Sequence, residues 1–386
     1  MHFDELLLDD PDQLASRDAG RLLWALATAG AQLRRCVELQ DEWGFSRLGM
    51  GDTPRAVLVS TDAPAKGAAR VMVRMASGAA PTLWWGGVEL PRWAGPADAV
   101  LIGSTDGRSP RLARLAELAA HRGMAAVVVA PTGSPVAQAA GRAPVCELDA
   151  DLHLRASRWS VLAPLLQACD ALGLVKAPPE LLSQVADTLD ETAGSCRPTN
   201  ESFTNPAKSL AIELANAVPV VVGAGPLAGV AARLISEAIQ LLAGVGAPSV
   251  GLPDGVAIAA ALLRGERVDR SQDDELAEFF ADRATDAPVR PRLITVGDDG
   301  SPDDPQLGAR SEAEVQLDEV AARQAAADLR AMATQLGLRW SHIDAPDGPP
   351  LVRLAGATAF GDFAATYLAL GLGIDPSAPM PGELRP

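Results

Sequence analysis

ADAVLIGSTDGRSPRLARLAEL, residues 97–118, sets the plan of the chain. Its apolar run Ala99-Val100-Leu101-Ile102 ends in Gly103-Ser104-Thr105-Asp106-Gly107-Arg108-Ser109. Pro110 then opens a pattern with Leu112, Leu115, Ala116 and Ala119 on one helical face. A continuous apolar run of this length suits a buried parallel strand, and proline suits the first position of a helix. The stretch therefore reads as strand, hydroxyl- and glycine-rich loop, helix N-terminus. Backbone N–H groups and the positive end of the helix dipole converge on that loop, which suits phosphate. The same geometry also serves as a plain turn that binds nothing.

Working outward, Asp12–Trp43 reads as one long helix marked by Leu14, Leu22, Leu26, Leu33 and Val37. Arg55–Ser60 is a strand, followed by the turn Thr61–Gly67 and a helix to about Met75; Thr82–Trp85 is a short strand. Beyond the central stretch, Met124–Ala130 and Pro144–Leu148 are further strands, with a short helix between them. Residues 152–191 turn helical, broken at Pro178-Pro179, and Thr192–Asn205 is a polar connector. A second cycle then starts. Strands are expected at Val218–Val222, Pro248–Leu252, Arg292–Val296 and Leu338–Ile343. Helices are expected at Pro206–Asn216, Pro226–Leu242, Val256–Leu263, Ser271–Asp286, Glu312–Leu336 and Leu351–Gly373. Gly297–Gln306 reads as an acidic loop. Alternation of strands and helices at this spacing indicates an α/β protein built on parallel sheets, here in two similar halves.

The 386 residues, 48% hydrophobic and 21% charged, are those of a globular chain long enough for two domains. Aromatic residues make up only 4%, so Ala, Val and Leu must fill the core. A net charge of −16 argues against a nucleic-acid or anionic-membrane surface, while leaving room for a small anion in a pocket. Cys36, Cys146, Cys169 and Cys196 show no metal spacing and read as buried thiols of a reducing cytoplasm. The start MHFDELLLDDPDQ lacks the basic segment of a signal peptide. Leu214–Ala232 is uncharged, but Pro219, Gly223, Gly225, Pro226 and Gly229 mark it as strand, turn and helix rather than a membrane span.

Within that run, Gly223, Gly225 and Ala228 have the spacing of a dinucleotide fingerprint. The fingerprint needs an acid at the end of the next strand, and Asp254 comes only after Pro253. A tight turn allowing close helix–strand packing is the competing reading. No cofactor is expected.

Three stretches carry a resemblance: VLIGSTDGRSPRLARL at 100–115, NPAKSLAIELANAVPVVVGAG at 205–225, and GDFAATYLALGLGIDPSAPMPGELRP at 361–386. With the order of elements, they resemble the bifunctional phosphoglucose/phosphomannose isomerases, double sugar-isomerase-fold (SIS) proteins. Lysine is confined to Lys66, Lys176 and Lys208, a composition that fits a divergent actinobacterial-type member. The resemblance implies two flavodoxin-like SIS domains, residues 1–176 and 177–386, and a homodimer whose subunits complete each other's sites. It also implies a sugar-phosphate ligand. The family's SxSGNT phosphate loop maps onto Ser104, Gly107 and Ser109, with Asp106 where a serine is expected and Arg108 where an asparagine is. Arg155 matches a substrate-side arginine, and the family's glycine-rich GMGGSAIGGD loop is reduced to Ser60–Gly67.

The chemistry departs from the family. Aldose–ketose isomerisation moves a proton between C1 and C2 through an enediol and needs a carboxylate base. The family's base, the Glu of an NEN segment, falls at Gln240, which cannot take a proton; Glu237, three residues earlier, is the relocated candidate. Pro253-Asp254-Gly255-Val256 has no counterpart of the ring-opening histidine, and a terminal lysine is replaced around Glu383-Leu384-Arg385. The sequence thus leads to a phosphosugar-binding protein with isomerase activity lost or reduced. An active isomerase with relocated groups, or a structural interaction protein, are the alternatives.

Overall fold

The computed structural model describes residues 3–45, 48, 53–76, 78–149, 151–265, 290–297 and 312–378. The helix expected over 271–286, nearly all of the 297–306 loop and the terminal residues 383–385 lie outside them. Three short helices come first: α1 (Pro11–Arg17), α2 (Leu22–Ala27) and α3 (Ala29–Glu38). They replace the single helix expected over 12–43. Arg21 sits in the left-handed region at φ 57°, and the buried Asp18 carboxylate accepts from the Leu22 and Leu23 amides at 2.8 and 2.9 Å. That carboxylate starts a new helix, as a capping side chain does, so the apolar periodicity survives while the axis does not.

The first sheet follows as β1 (Val57–Thr61), α4 (Lys66–Ala76), β2 (Thr82–Trp84), β3 (Ala99–Gly103), α5 (Pro110–His121), β4 (Ala125–Pro131), α6 (Pro135–Ala139) and β5 (Val145–Leu148). All pairs are parallel, in the order β2-β1-β3-β4-β5. Next come α7 (Arg158–Ala171), α8 (Pro179–Ser195) and α9 (Pro206–Leu214). The second sheet is built from β6 (Ala217–Ala224), α10 (Pro226–Ala243), β7 (Ser249–Leu252), α11 (Val256–Arg264), β8 (Arg290–Gly297), α12 (Glu312–Gln335), β9 (Trp340–Asp344) and α13 (Pro350–Gly371). Its order, β7-β6-β8-β9, repeats the first four positions of the other sheet, again all parallel.

Side chains alternate between the two faces of a strand, so an all-apolar strand must be covered on both. In the first sheet Leu58, Val100, Ile102 and Val128 face α5 and α6, forming one core with Leu112, Leu115 and Val136. In the second, Val220, Val222 and Leu293 face α11 and α12, with Leu263 and Leu329. The opposite faces, Val57, Val59, Leu101 and Val127 in one sheet and Val221, Ile294, Val296 and Ile343 in the other, belong to a single continuous core. The helices between them supply the rest. α7 and α13 are apolar on almost every side and buried accordingly, as such helices must be. No helix among the described residues is long and apolar enough to cross a membrane. All four cysteines are buried thiols; burial pushes Cys36 up to about 12 and Cys196 up to about 11.

Candidate functional site

Each sheet reverses its direction of growth at its first strand. The chain goes from β1 to its neighbour β2 on one side, then crosses back to β3 on the other; β6, β7 and β8 do the same. Ligands of open parallel sheets settle outside the carboxyl ends of the strands at such a reversal. The molecule therefore has two positions to consider.

At the first, between β1 and β3, the loop 104–109 does have its donors turned inward, and they meet Asp62. The Asp62 Oδ2 accepts from the Thr105 amide at 2.5 Å, from Thr105 Oγ1 at 3.0 Å and from Ser104 Oγ at 3.0 Å. Its Oδ1 takes the Ala65 amide at 3.2 Å, just before α4. Ser104 Oγ in turn accepts from the Gly107 amide at 3.2 Å, so the loop glycine is tied to the same carboxylate through one hydroxyl. Burial pushes the Asp62 carboxyl above its usual range, against the hydrogen bonds from Thr105, Ala65 and Ser104. Behind it, Arg111 donates to Ser60 Oγ at 2.7 Å and to the Thr61 carbonyl at 2.6 Å.

The other loop residues are likewise engaged. Ser109 caps α5, its hydroxyl accepting from the Leu112 amide at 3.4 Å. Asp106 points outward, accepting from the Arg108 amide at 2.9 Å, and the Arg108 side chain is exposed with it. Arg155 lies away from the loop and donates to the carbonyls of Pro376 and Ala378, while His153 Nε2 meets Ser377 Oγ at 3.2 Å. These contacts hold the segment after α13 against the first half of the chain.

At the second reversal, between β6 and β8, a crevice lies at the N-terminus of α10. Gly225, Gly297, Arg323, Arg353 and Glu319 are among its walls. Glu319 pairs with Arg323 at 3.4 Å along α12. Arg353 stands in the first turn of α13, and burial lowers it from its ordinary value. Two glycines shape the turn at this end of α10. Gly225 adopts φ +102°, a conformation side chains disfavour. A Cβ on Gly223 would come within 2.1 Å of the Ala228 carbonyl oxygen, so β6 and α10 touch there backbone to backbone.

Further along α10, the Gln240 amide donates to Ser236 Oγ at 2.9 Å and to the Ala247 carbonyl at 2.9 Å. It is spent inside its own helix and the turn that follows. Glu237 lies between two guanidinium groups, Arg70 of α4 and Arg233 at 2.9 Å. Two of the three stretches that carry the resemblance hold the fold together. Lys208 is fully buried and donates to the carbonyls of Pro198 and Asn200 at 2.7 and 2.6 Å, above the Tyr367 ring. Asp362 receives the Arg158 guanidinium at 2.7 and 3.1 Å, pinning α13 to α7.

The comparisons with known proteins bear on the fold. Residues 312–380 match the family model described as the bacterial phospho-glucose isomerase C-terminal SIS domain. No curated protein matches the chain. Among solved structures, it is similar to tagatose-6-phosphate ketose/aldose isomerase from Escherichia coli, at 12% identity and a TM-score of 0.62 over 92% of this chain and 95% of that one. A glucose-6-phosphate isomerase like protein from Thermus thermophilus superposes at 17% identity and a TM-score of 0.53, over 96% and 94%. The C-terminal domain of glucosamine-fructose-6-phosphate aminotransferase from Francisella tularensis does so at 6% and 0.58, over 90% and 95%. The fold is SIS-type. At these identities the likeness is one of architecture, and residue roles rest on this chain's own contacts.

Sequence reading missed Asp62, Arg111, Arg323 and Arg353. Asp62 had a legible signal, an acid directly after a buried strand that adjoins a hydroxyl-rich loop. The three arginines had none, because each sits in an amphipathic or apolar helix whose neighbours are distant in sequence.

Proposed function

We propose that this chain binds a phosphosugar and does not isomerise it, serving glucose- and mannose-phosphate metabolism in the cytoplasm as a regulatory or accessory homodimer. The observation that supports binding is the crevice at the second strand reversal. Arginine guanidinium groups match phosphate in charge and in fork geometry, and the N-terminus of α10 adds amide donors and a favourable dipole. Arg323 and Arg353 would hold the phosphate, with Gly225 and Gly297 among the walls beside it. For the chemistry, an enediol route asks for a carboxylate beside C2. Gln240 is an amide hydrogen-bonded to its own turn, and Glu237 is neutralised by two arginines, which favours binding without turnover.

Thermal melting with fructose 6-phosphate and mannose 6-phosphate tests the first half. At about 100 times the dissociation constant the gain is ~2.7 kcal/mol, and Arg353→Ala or Arg323→Ala should reduce it. No shift with a panel of sugar phosphates would remove the reading. Solvent-deuterium wash-in at sugar C2 tests the second half. Loss of a general base removes about 10²–10⁴-fold, so no wash-in above a buffer control is expected. Wash-in that disappears in Glu237→Gln would instead make the protein an active isomerase with Glu237 as its base.

A further inference from the structure

We infer that Asp62 is an internal ligand of the β3–α5 loop, which excludes external phosphate from the first strand reversal and leaves the second as the chain's anion site. The two reversals share strand order and helix placement, and at the first the chain's own carboxylate meets the loop. Three donors of loop 104–109 converge on one oxygen of Asp62, the Thr105 amide, the Thr105 hydroxyl and the Ser104 hydroxyl. The Gly107 amide follows through Ser104. That is the donor set an anion at this loop would use, and it is filled by a negative group that the chain carries itself.

The electrostatics point the same way. Arg111 supplies the positive charge facing Asp62 from α5, and its donors already rest on Ser60 and the Thr61 carbonyl. Asp106, the other acid of the loop, is turned outward onto the Arg108 amide. An incoming phosphate would have to displace Asp62 from hydrogen-bonded donors and then lie beside a like charge. A plain staple between two loops would show the same contacts. The difference is what happens once the carboxylate is gone, because a staple leaves a slack loop and an internal ligand leaves a vacant, preformed one.

The test uses the full chain and inorganic phosphate as probe, read on the Thr105 and Gly107 amide resonances. In the wild type these should stay in place at millimolar phosphate. In Asp62→Ser they should shift saturably, with an association constant about tenfold or more above the wild-type limit, the scale of one charge-assisted hydrogen bond regained. Asp62→Asn keeps the shape and removes the charge, and serves if the serine variant does not fold; a smaller gain at the same amides is expected. A folded variant without saturable shifts would overturn the inference, as would phosphate moving these amides in the wild type. The readout is local to loop 104–109, so it stands apart from the crevice of Arg323 and Arg353. Failure of sugar phosphates to bind there would leave this result intact.

Discussion

Asp98, at the entrance to β3, shows how much one carboxylate can organise. It is buried, and it receives Arg55 at 3.0 and 2.7 Å and the Gly95 amide at 2.9 Å. Burial alone would push its carboxyl up. The Arg55 guanidinium and the Gly95 and Ala56 amides outweigh that and hold it below its ordinary 3.8. A depressed folded value means that the stabilisation is present above 3.8 and is lost as pH falls through the lower, folded value. Urea midpoints taken from about pH 6 to about pH 2 should therefore fall steeply at the acid end, and Asp98→Asn should flatten that fall. The same scale explains what sequence could and could not reveal. Ser104 and Gly107 stood out because their residue types suit a phosphate loop. In the structure Ser104 meets Asp62, 42 residues upstream and joined to it by folding alone. Arg158 and Asp362 are 204 residues apart, beyond any periodicity.

At the scale of elements, strands were the most legible part. Runs such as Val218–Val222 and Met124–Ala130 are buried on both faces, so hydropathy alone marks them. Helix ends were less so: the break near Arg21 depends on a left-handed residue and a carboxylate cap, neither of which alters the apolar spacing. The glycine turn after β6 was read as either a nucleotide fingerprint or a close-packing device, and the contact at Gly223 supports the second. Gly223→Ala should cost about 3 kcal/mol, because its Cβ would strike the Ala228 carbonyl and the Gly229 nitrogen, backbone atoms held by α10. A thermal melt checks this, and a variant as stable as the wild type would show that helix and strand can separate there.

At the scale of the molecule, the halves are joined by contacts that no single element explains. Arg34 of α3 pairs with Asp187 and Asp190 of α8 at 2.6 Å each, Arg70 pairs with Glu237, and Arg158 with Asp362. The proposed homodimer adds a further level, and sedimentation at micromolar concentration should return the mass of two chains; a monomer would remove it. The core shared by the inner faces of both sheets bears on how such a protein could be taken apart. The two halves repeat one strand order, and the inner face of each sheet is buried in a core shared with the other half. A chain severed between Lys176 and Ala177 should give pieces that are insoluble when made separately. Made together in one cell, they should find each other and reconstitute the whole, held by the surfaces that neither can expose alone.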